Sequence, residues 1–325
     1  MAMTEGRRAR AVFFGSPAFA VPCLRATAAE TELVAVVSQP DRPAGRGQRA
    51  TPPAVKVAAE ELGIPVLQPE KIRTPETLAA LAALDAELWV VVAYGRILPQ
   101  ALLDLPRLGA YNVHASLLPR LRGAAPIQWA IIRGDDETGV SIMRMEAGLD
   151  TGPVGAVRRI AIAAADTTGT LSEKLAALGA ALLAETLPEI VAGRARFVPQ
   201  DDAAVTLAPL LDKGDGRLDF ARSARLVSAQ ARGVDPWPGA TALLDGEPLR
   251  LYGPRLVSGD RSGDRPGEVL RPGEVLGLRP EGLAVACADA PVAFAELQLP
   301  GRRRLPAAAF LAGRPIPAGS RLGGP

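Results

Sequence analysis

Histidine is almost missing from this chain: its 325 residues include one, His114. One imidazole and two distant thiols, Cys23 and Cys287, cannot supply the usual ligand set of a protein metal site, so no metal is expected. Two cysteines also make no disulfide framework, and their scarcity fits a reducing, cytoplasmic setting. Aromatics are 4% of the residues, which leaves the core to Ala, Val and Leu. No stretch of about 18 residues is both apolar and free of charge, so no membrane-spanning helix is expected. The opening Met-Ala-Met-Thr-Glu-Gly-Arg-Arg precedes too short an apolar run for a secretion signal. An excess of one charge is lacking as well. Lys+Arg 37 against Asp+Glu 35 leaves +2, too little to imply an acidic partner. The only lysines are Lys56, Lys71, Lys174 and Lys213; with 33 Gly and 30 Pro, the arginine bias reads as genome composition.

What is present describes a globular protein: 48% hydrophobic and 22% charged, long enough for two domains. The first 190 or so residues alternate apolar runs with helical segments, the rhythm of a parallel α/β sheet. Strands are predicted at Ala11–Phe14, Leu33–Ser38, Pro65–Leu67, Leu88–Ala93, Gly109–Val113 and Gly139–Met145. Helices are predicted at Ala54–Leu62, Thr74–Leu84, Ala124–Arg133 and Thr170–Ala192, the last with Thr168, Thr170 or Ser172 as candidate caps, and Pro17 can begin a first one. A loop spans Gln39–Thr51. Residues 1–192 therefore form an expected first domain, 193–209 a linker, and 210–325 a second domain of short strands such as Arg250–Tyr252 and Leu283–Ala286 between Gly/Pro turns, the signature of a small β-barrel. Within it Arg265–Leu270 is repeated at once as Arg271–Leu276, too few copies for a solenoid.

Three constellations can carry chemistry. In Asn112-Val-His114, at the end of a predicted strand, period-two alternation puts the amide and the imidazole on one side. The position also lies at the carboxyl edge of the sheet, where open α/β folds build sites. An amide donor can stabilise an oxyanion and an imidazole can move protons near neutrality, a pairing suited to acyl transfer. A solitary histidine is otherwise an ordinary packed residue. Asp150, in Gly148-Leu-Asp-Thr-Gly152, reads either as a turn aspartate bonded to its own backbone or as a carboxylate that orients His114; spacing does not decide. The segment Ser38–Arg49 carries Arg42, Arg46 and Arg49 against Asp41 alone, either a solvated loop or a contact for nucleic-acid phosphates. Its Gly45-Arg-Gly47 is a poor dinucleotide fingerprint, and Gly15-Ser-Pro-Ala-Phe19 lacks the Lys-Ser/Thr end of a phosphate loop. Ser116 is too close in sequence to His114 for the usual serine triad.

Taken in order, Phe14–Ala20, Gln39–Gly47, Val91–Gly95, Asn112–His114, Ser116–Pro119, Arg122–Gln128 and Gly148–Gly152 resemble the motifs of the methionyl-tRNA formyltransferase family. Lys213–Asp219 and Asp235–Pro238 continue the resemblance in the second domain. It implies a Rossmann-like mostly parallel sheet followed by an oligonucleotide-binding-like β-barrel, and formyl transfer from 10-formyltetrahydrofolate to the amino group of methionyl initiator tRNA. It implies catalytic roles for Asn112, His114 and Asp150, folate contact by Ser116, Leu117, Leu118 and Pro119, and tRNA contact by Arg42, with Arg46 and Arg49 in the same basic segment. A monomer is expected. Asn, His and Asp at these positions are shared with the wider 10-formyltetrahydrofolate-using group, so an enzyme of that group acting on another amine or hydrolysing the donor, or a non-catalytic RNA binder, stays open. Departures are Ala115 for a usual Gly, Gln48 and Arg49 for usual lysines, and Phe220 for a usual Trp.

Overall fold

Every side chain of Leu88-Trp-Val-Val-Val92 is apolar, which demands cover on both faces of the strand it forms. The computed structural model describes residues 8–44, 49–257 and 271–323, and all five of these residues are buried in it. In chain order the amino-terminal strands are β1 (Arg10–Gly15), β2 (Glu32–Val37), β3 (Arg42–Ala44), β4 (Arg49–Thr51), β5 (Val66–Leu67), β6 (Leu88–Val92), β7 (Gly109–His114), β8 (Glu137–Arg144) and β9 (Val154–Ala161). The helices are α1 (Val21–Glu30), α2 (Ala54–Glu61), α3 (Pro75–Ala82), α4 (Gln100–Leu103), α5 (Pro126–Ile132) and α6 (Thr168–Val191). The sheet runs β5–β2–β1–β6–β7–β8–β9. Pairing is parallel from β5 to β7, and β8 turns antiparallel beside β7, with His114 opposite Ser141. Strand order reverses at β1, so the carboxyl ends of β1, β6 and β7 flank a topological switch point.

The few aromatics are concentrated rather than spread. Phe14 meets Trp89 at a tilt, 4.8 Å between ring centroids, and Tyr94 edge-on at 5.5 Å, in one cluster with Val12, Val37, Val91 and Leu102. Such rings are among the largest contributors to burial per residue, which anchors β1 to β6 behind the switch point.

Several expectations need correction. The Gln39–Thr51 loop contains the antiparallel pair β3–β4, with Arg42 opposite Thr51. After Pro17 the chain makes one 3₁₀ turn (Ala18–Ala20) before α1, which carries Pro22 in its first turn. The N-cap of α6 is Thr167, not Thr168, Thr170 or Ser172, with Thr170 bonding back to it from inside the first turn. Thr167 Oγ1 accepts from Thr170 N at 3.3 Å while Thr170 Oγ1 accepts from Thr167 N at 3.0 Å, a reciprocal capping box. His114 is the last residue of β7 rather than the first of a loop. The strand β9 was not expected, since it alternates exposed with half-buried residues.

Contacts divide the chain into two units: Met1–Pro126, Thr138–Ile160 and Ser172–Ala208; and Ile127–Glu137, Ala161–Leu171 and Pro209–Pro325. The second unit adds β10 (Thr241–Leu244), β11 (Glu247–Leu256), β12 (Val275–Arg279), β13 (Gly282–Ala286), β14 (Pro291–Gln298), β15 (Leu305–Pro306) and β16 (Leu322–Gly323), with α7 (Ala224–Gly233) and α8 (Ala307–Gly313). Its strands run β12–β13–β14–β11–β10–β16, with β15 on β14. The sheet closes: Glu274 bridges Arg321, Val275 N donates to Ser320 O and Leu322 N to Gly273 O, both at 2.8 Å. Closure removes exposed strand edges, as expected of a barrel. Phe220, at the place of the family's usual Trp, is buried and meets Phe294 edge-on at 6.4 Å. The first copy of the six-residue repeat, 265–270, lies outside the described residues; the second enters β12. Among the described residues no helix is long and apolar enough to cross a membrane.

Candidate active site

The carboxyl end of β7 delivers Asn112 and His114 on one side of the sheet, as alternation requires. The loop after β8 brings Asp150 to them across the antiparallel pairing. Asp150 adopts φ +54°, a left-handed conformation that costs a non-glycine residue free energy, so the loop must be held by its surroundings. Gly152 makes that possible: a Cβ there would sit 1.8 Å from Arg144 O. The Asp150 carboxylate does not bond its own turn. Its Oδ2 accepts from Gly123 N at 2.8 Å and lies 3.6 Å from His114 Nδ1, while Oδ1 lies 3.5 Å from Asn112 Nδ2. The last two distances exceed a full hydrogen bond. On the other side of the ring, His114 Nε2 is 3.0 Å from Leu121 O. Two acceptors thus flank the one imidazole, one per ring nitrogen. The side chains of His114 and Asp150 keep 6% and 12% of their surface exposed, a narrow face open to solvent.

Sequence reasoning missed the residues behind this trio. Arg122 is buried, and its guanidinium donates to Gln200 Oε1 at 3.1 and 2.9 Å and to Asp202 at 3.2 Å. Gln200 Nε2 donates to Asp150 O at 2.8 Å and Gly152 O at 2.7 Å. Thr206 Oγ1 accepts from Leu121 N at 2.9 Å. Arg122 stands in a quoted motif, but Gln200 and Thr206 fall in the stretch read as a linker, where a polar residue carries no signal in one dimension.

Of the expected folate stretch, Ser116 is fully buried. Its Oγ donates to Arg120 O at 2.6 Å and its carbonyl accepts from Ser141 Oγ at 2.7 Å, so its side chain braces the loop. Leu117, Leu118 and Pro119 are half-buried and present apolar surface. Ala115 is accommodated at 7% exposure. Arg42 is exposed at the start of β3; Arg46 lies outside the described residues, as does the side chain of Arg49. Beside Arg42, hydrogen bonds from Gln68 and Lys56 hold the Asp41 carboxyl below the usual carboxylate range.

The trio suits attack by a neutral nucleophile on a carbonyl: an amide donor for oxyanion charge, an imidazole for the proton, and a carboxylate to orient the ring. Cys23 and Cys287 are both buried, and burial pushes their thiols up to about 12, which disfavours the thiolate at either position. Comparison with known proteins agrees with the class. The formyl transferase family profile matches residues 9–187 and the formyl transferase C-terminal domain profile residues 210–315, so the chain is a formyltransferase. A methionyl-tRNA formyltransferase from Citrifermentans bemidjiense is 48% identical over 97% of this chain and 96% of its own length. One from Sorangium cellulosum is also 48% identical, over 97% and 99%. The chain belongs to the methionyl-tRNA formyltransferase family. Among solved structures, WlaRD, a sugar 3N-formyl transferase, matches with TM-score 0.65 at 13% identity over 92% of this chain and 100% of that one. HypX from Aquifex aeolicus in complex with tetrahydrofolic acid matches with TM-score 0.60 at 17% identity over 94% of this chain; the chain spans 47% of that protein. These two likenesses support the fold.

Proposed function

We propose that Asn112, His114 and Asp150 carry transfer of the formyl group of 10-formyltetrahydrofolate to the amino group of methionyl initiator tRNA. The observation that carries this reading is the Asp150 carboxylate, held by Gly123 N at 2.8 Å and set between the Asn112 amide and the His114 ring. Free α-amino groups titrate at about 7.7–8.0, so a useful fraction of the acceptor is a neutral nucleophile near pH 7. Its lone pair forms the new N–C bond to the formyl carbon while the C=O pair moves onto oxygen. The Asn112 amide stabilises that oxygen, an effect of about 3–4 kcal/mol for one such donor. His114 takes the proton from the attacking nitrogen at Nδ1, since Nε2 donates to Leu121 O, with Asp150 orienting the ring and stabilising its charge. Collapse of the oxyanion breaks the bond to the folate nitrogen, which receives the proton. The products are formylmethionyl-tRNA and tetrahydrofolate, with no covalent enzyme intermediate.

The apolar face of Leu117, Leu118 and Pro119, in the loop that follows β7, suits the folate ring, with the Ser116 side chain bracing that loop. Arg42, with Arg46 and Arg49, meets tRNA phosphates, and the barrel of the second unit grips the same partner. The protein acts as a cytoplasmic monomer. The test is an acceptor comparison: purified protein with 10-formyltetrahydrofolate and charged initiator tRNA, then with amino sugars or glycinamide ribonucleotide in its place. Efficient formylation of the tRNA alone is expected. Preference for a small amine sinks the reading, as does tRNA binding whose affinity is independent of salt.

A further inference from the structure

The two acceptors that flank His114 come from different loops, and both sit on backbone that does not hold itself in place. Leu121 has φ +61° and Asp150 φ +54°. Left-handed residues other than glycine persist where their surroundings over-determine them. Residues 198–208, read from sequence as part of a linker, run across both loops. At one end Val198 exchanges two 2.9 Å backbone hydrogen bonds with Val154. At the other, Arg122 N donates to Thr206 O at 2.9 Å, Ala208 N to Arg122 O at 2.7 Å and Ala125 N to Ala208 O at 3.1 Å. A Cβ on Gly123, at φ +125°, would lie 2.6 Å from Ala208 O, so the segment is closed down onto the catalytic loop.

Two side chains of this segment reach the flanking acceptors. The Gln200 amide spends both donors on Asp150 O and Gly152 O, and its oxygen takes two bonds from Arg122, the residue beside the Gly123 N–H that holds the Asp150 carboxylate. Thr206 Oγ1 takes the N–H of Leu121, whose carbonyl faces His114 Nε2. We propose that Gln200 and Thr206 are positioning residues for formyl transfer, setting Asp150 and Leu121 at the two nitrogens of His114. The proposal rests on the catalytic reading given above. It makes residues 198–208 part of the active-site framework rather than a passive connection.

Gln200→Glu isolates the effect. It keeps an acceptor on Arg122, removes both N–H donors and turns negative oxygen toward two carbonyls. Misplacement of a catalytic group by about 1 Å costs about a hundredfold in rate, so kcat should fall about ten- to a hundredfold with KM for both substrates unchanged. Thr206→Val should lower kcat in the same way, and Thr206→Ser, which restores the hydroxyl, should recover it. Because Gln200 acts through Asp150, adding Gln200→Glu to Asp150→Asn should cost less than about twofold more, whereas a general structural role multiplies the two losses. Gln200→Glu with wild-type kcat, or losses that multiply, overturns the proposal while His114→Ala remains inactive. Turnover by His114→Ala instead removes the catalytic reading itself, and the proposal with it. Should Gln200→Glu fold poorly by melting temperature, the Thr206 pair decides: a Val variant with wild-type kcat overturns the proposal.

Discussion

Replacing Asp150 by Asn keeps the size of the side chain and removes its charge. In the folded protein Oδ2 accepts from Gly123 N at 2.8 Å and faces His114 Nδ1 at 3.6 Å, with Asn112 Nδ2 3.5 Å from Oδ1. An amide has one oxygen for these three neighbours, so one orientation sets its NH2 against Asn112 and the other sets it against Gly123 and His114. The electrostatic loss is larger. At an effective dielectric of about 20, opposite unit charges at 3.6 Å attract by about 4–5 kcal/mol. That attraction is present when His114 carries the proton from the amine and absent while the ring is neutral, so it acts on the transition state. At 1.36 kcal/mol per tenfold, kcat should fall by about three powers of ten. Because Asp150 is set against protein groups, KM for either substrate should barely move. The assay is single-turnover formylation of charged initiator tRNA with enzyme in excess, quenched in acid. A loss below tenfold, or one confined to KM, shows that the carboxylate does not support the histidine.

Arg42→Ala should weaken tRNA binding and reduce the slope of log affinity against log salt by about 0.7–0.9, with the folate KM unchanged; an unaltered slope in a binding titration places Arg42 away from phosphate. Trp89→Ala, which removes the largest ring packed against Phe14 in the buried cluster, should cost about 3–5 kcal/mol of unfolding free energy, read from urea denaturation. Cys23 and Cys287, with thiols raised by burial to about 12, should resist alkylation at pH 8 in the native state and react once unfolded; rapid native labelling followed by mass spectrometry contradicts the burial. Asn112→Ala should lower kcat by about a hundred- to a thousandfold in the formylation assay, and a smaller drop moves oxyanion stabilisation to another donor.

Local pattern was enough for much of this protein. An uninterrupted apolar run such as Leu88–Val92 is a covered strand in almost any fold, because nothing else shields it from water. Likewise, period-two geometry alone places Asn112 and His114 on one side of the same strand. The signal weakens where structure depends on partners distant in the chain. The edge strand β9 alternates too faintly to stand out, and the hairpin β3–β4 sits in a stretch dominated by Pro, Gly and Arg.

Asp150 marks the division most clearly. Its motif allowed a self-bonded turn or a histidine partner, and only the antiparallel placement of β8 beside β7 decided between them. Gln200 and Thr206 had no motif at all. Their hydrogen bonds join residues up to 85 positions apart, and such pairings exist only once the chain has closed back on itself. Composition and periodicity report which surfaces must be buried; which polar group meets which carbonyl is settled by packing in three dimensions.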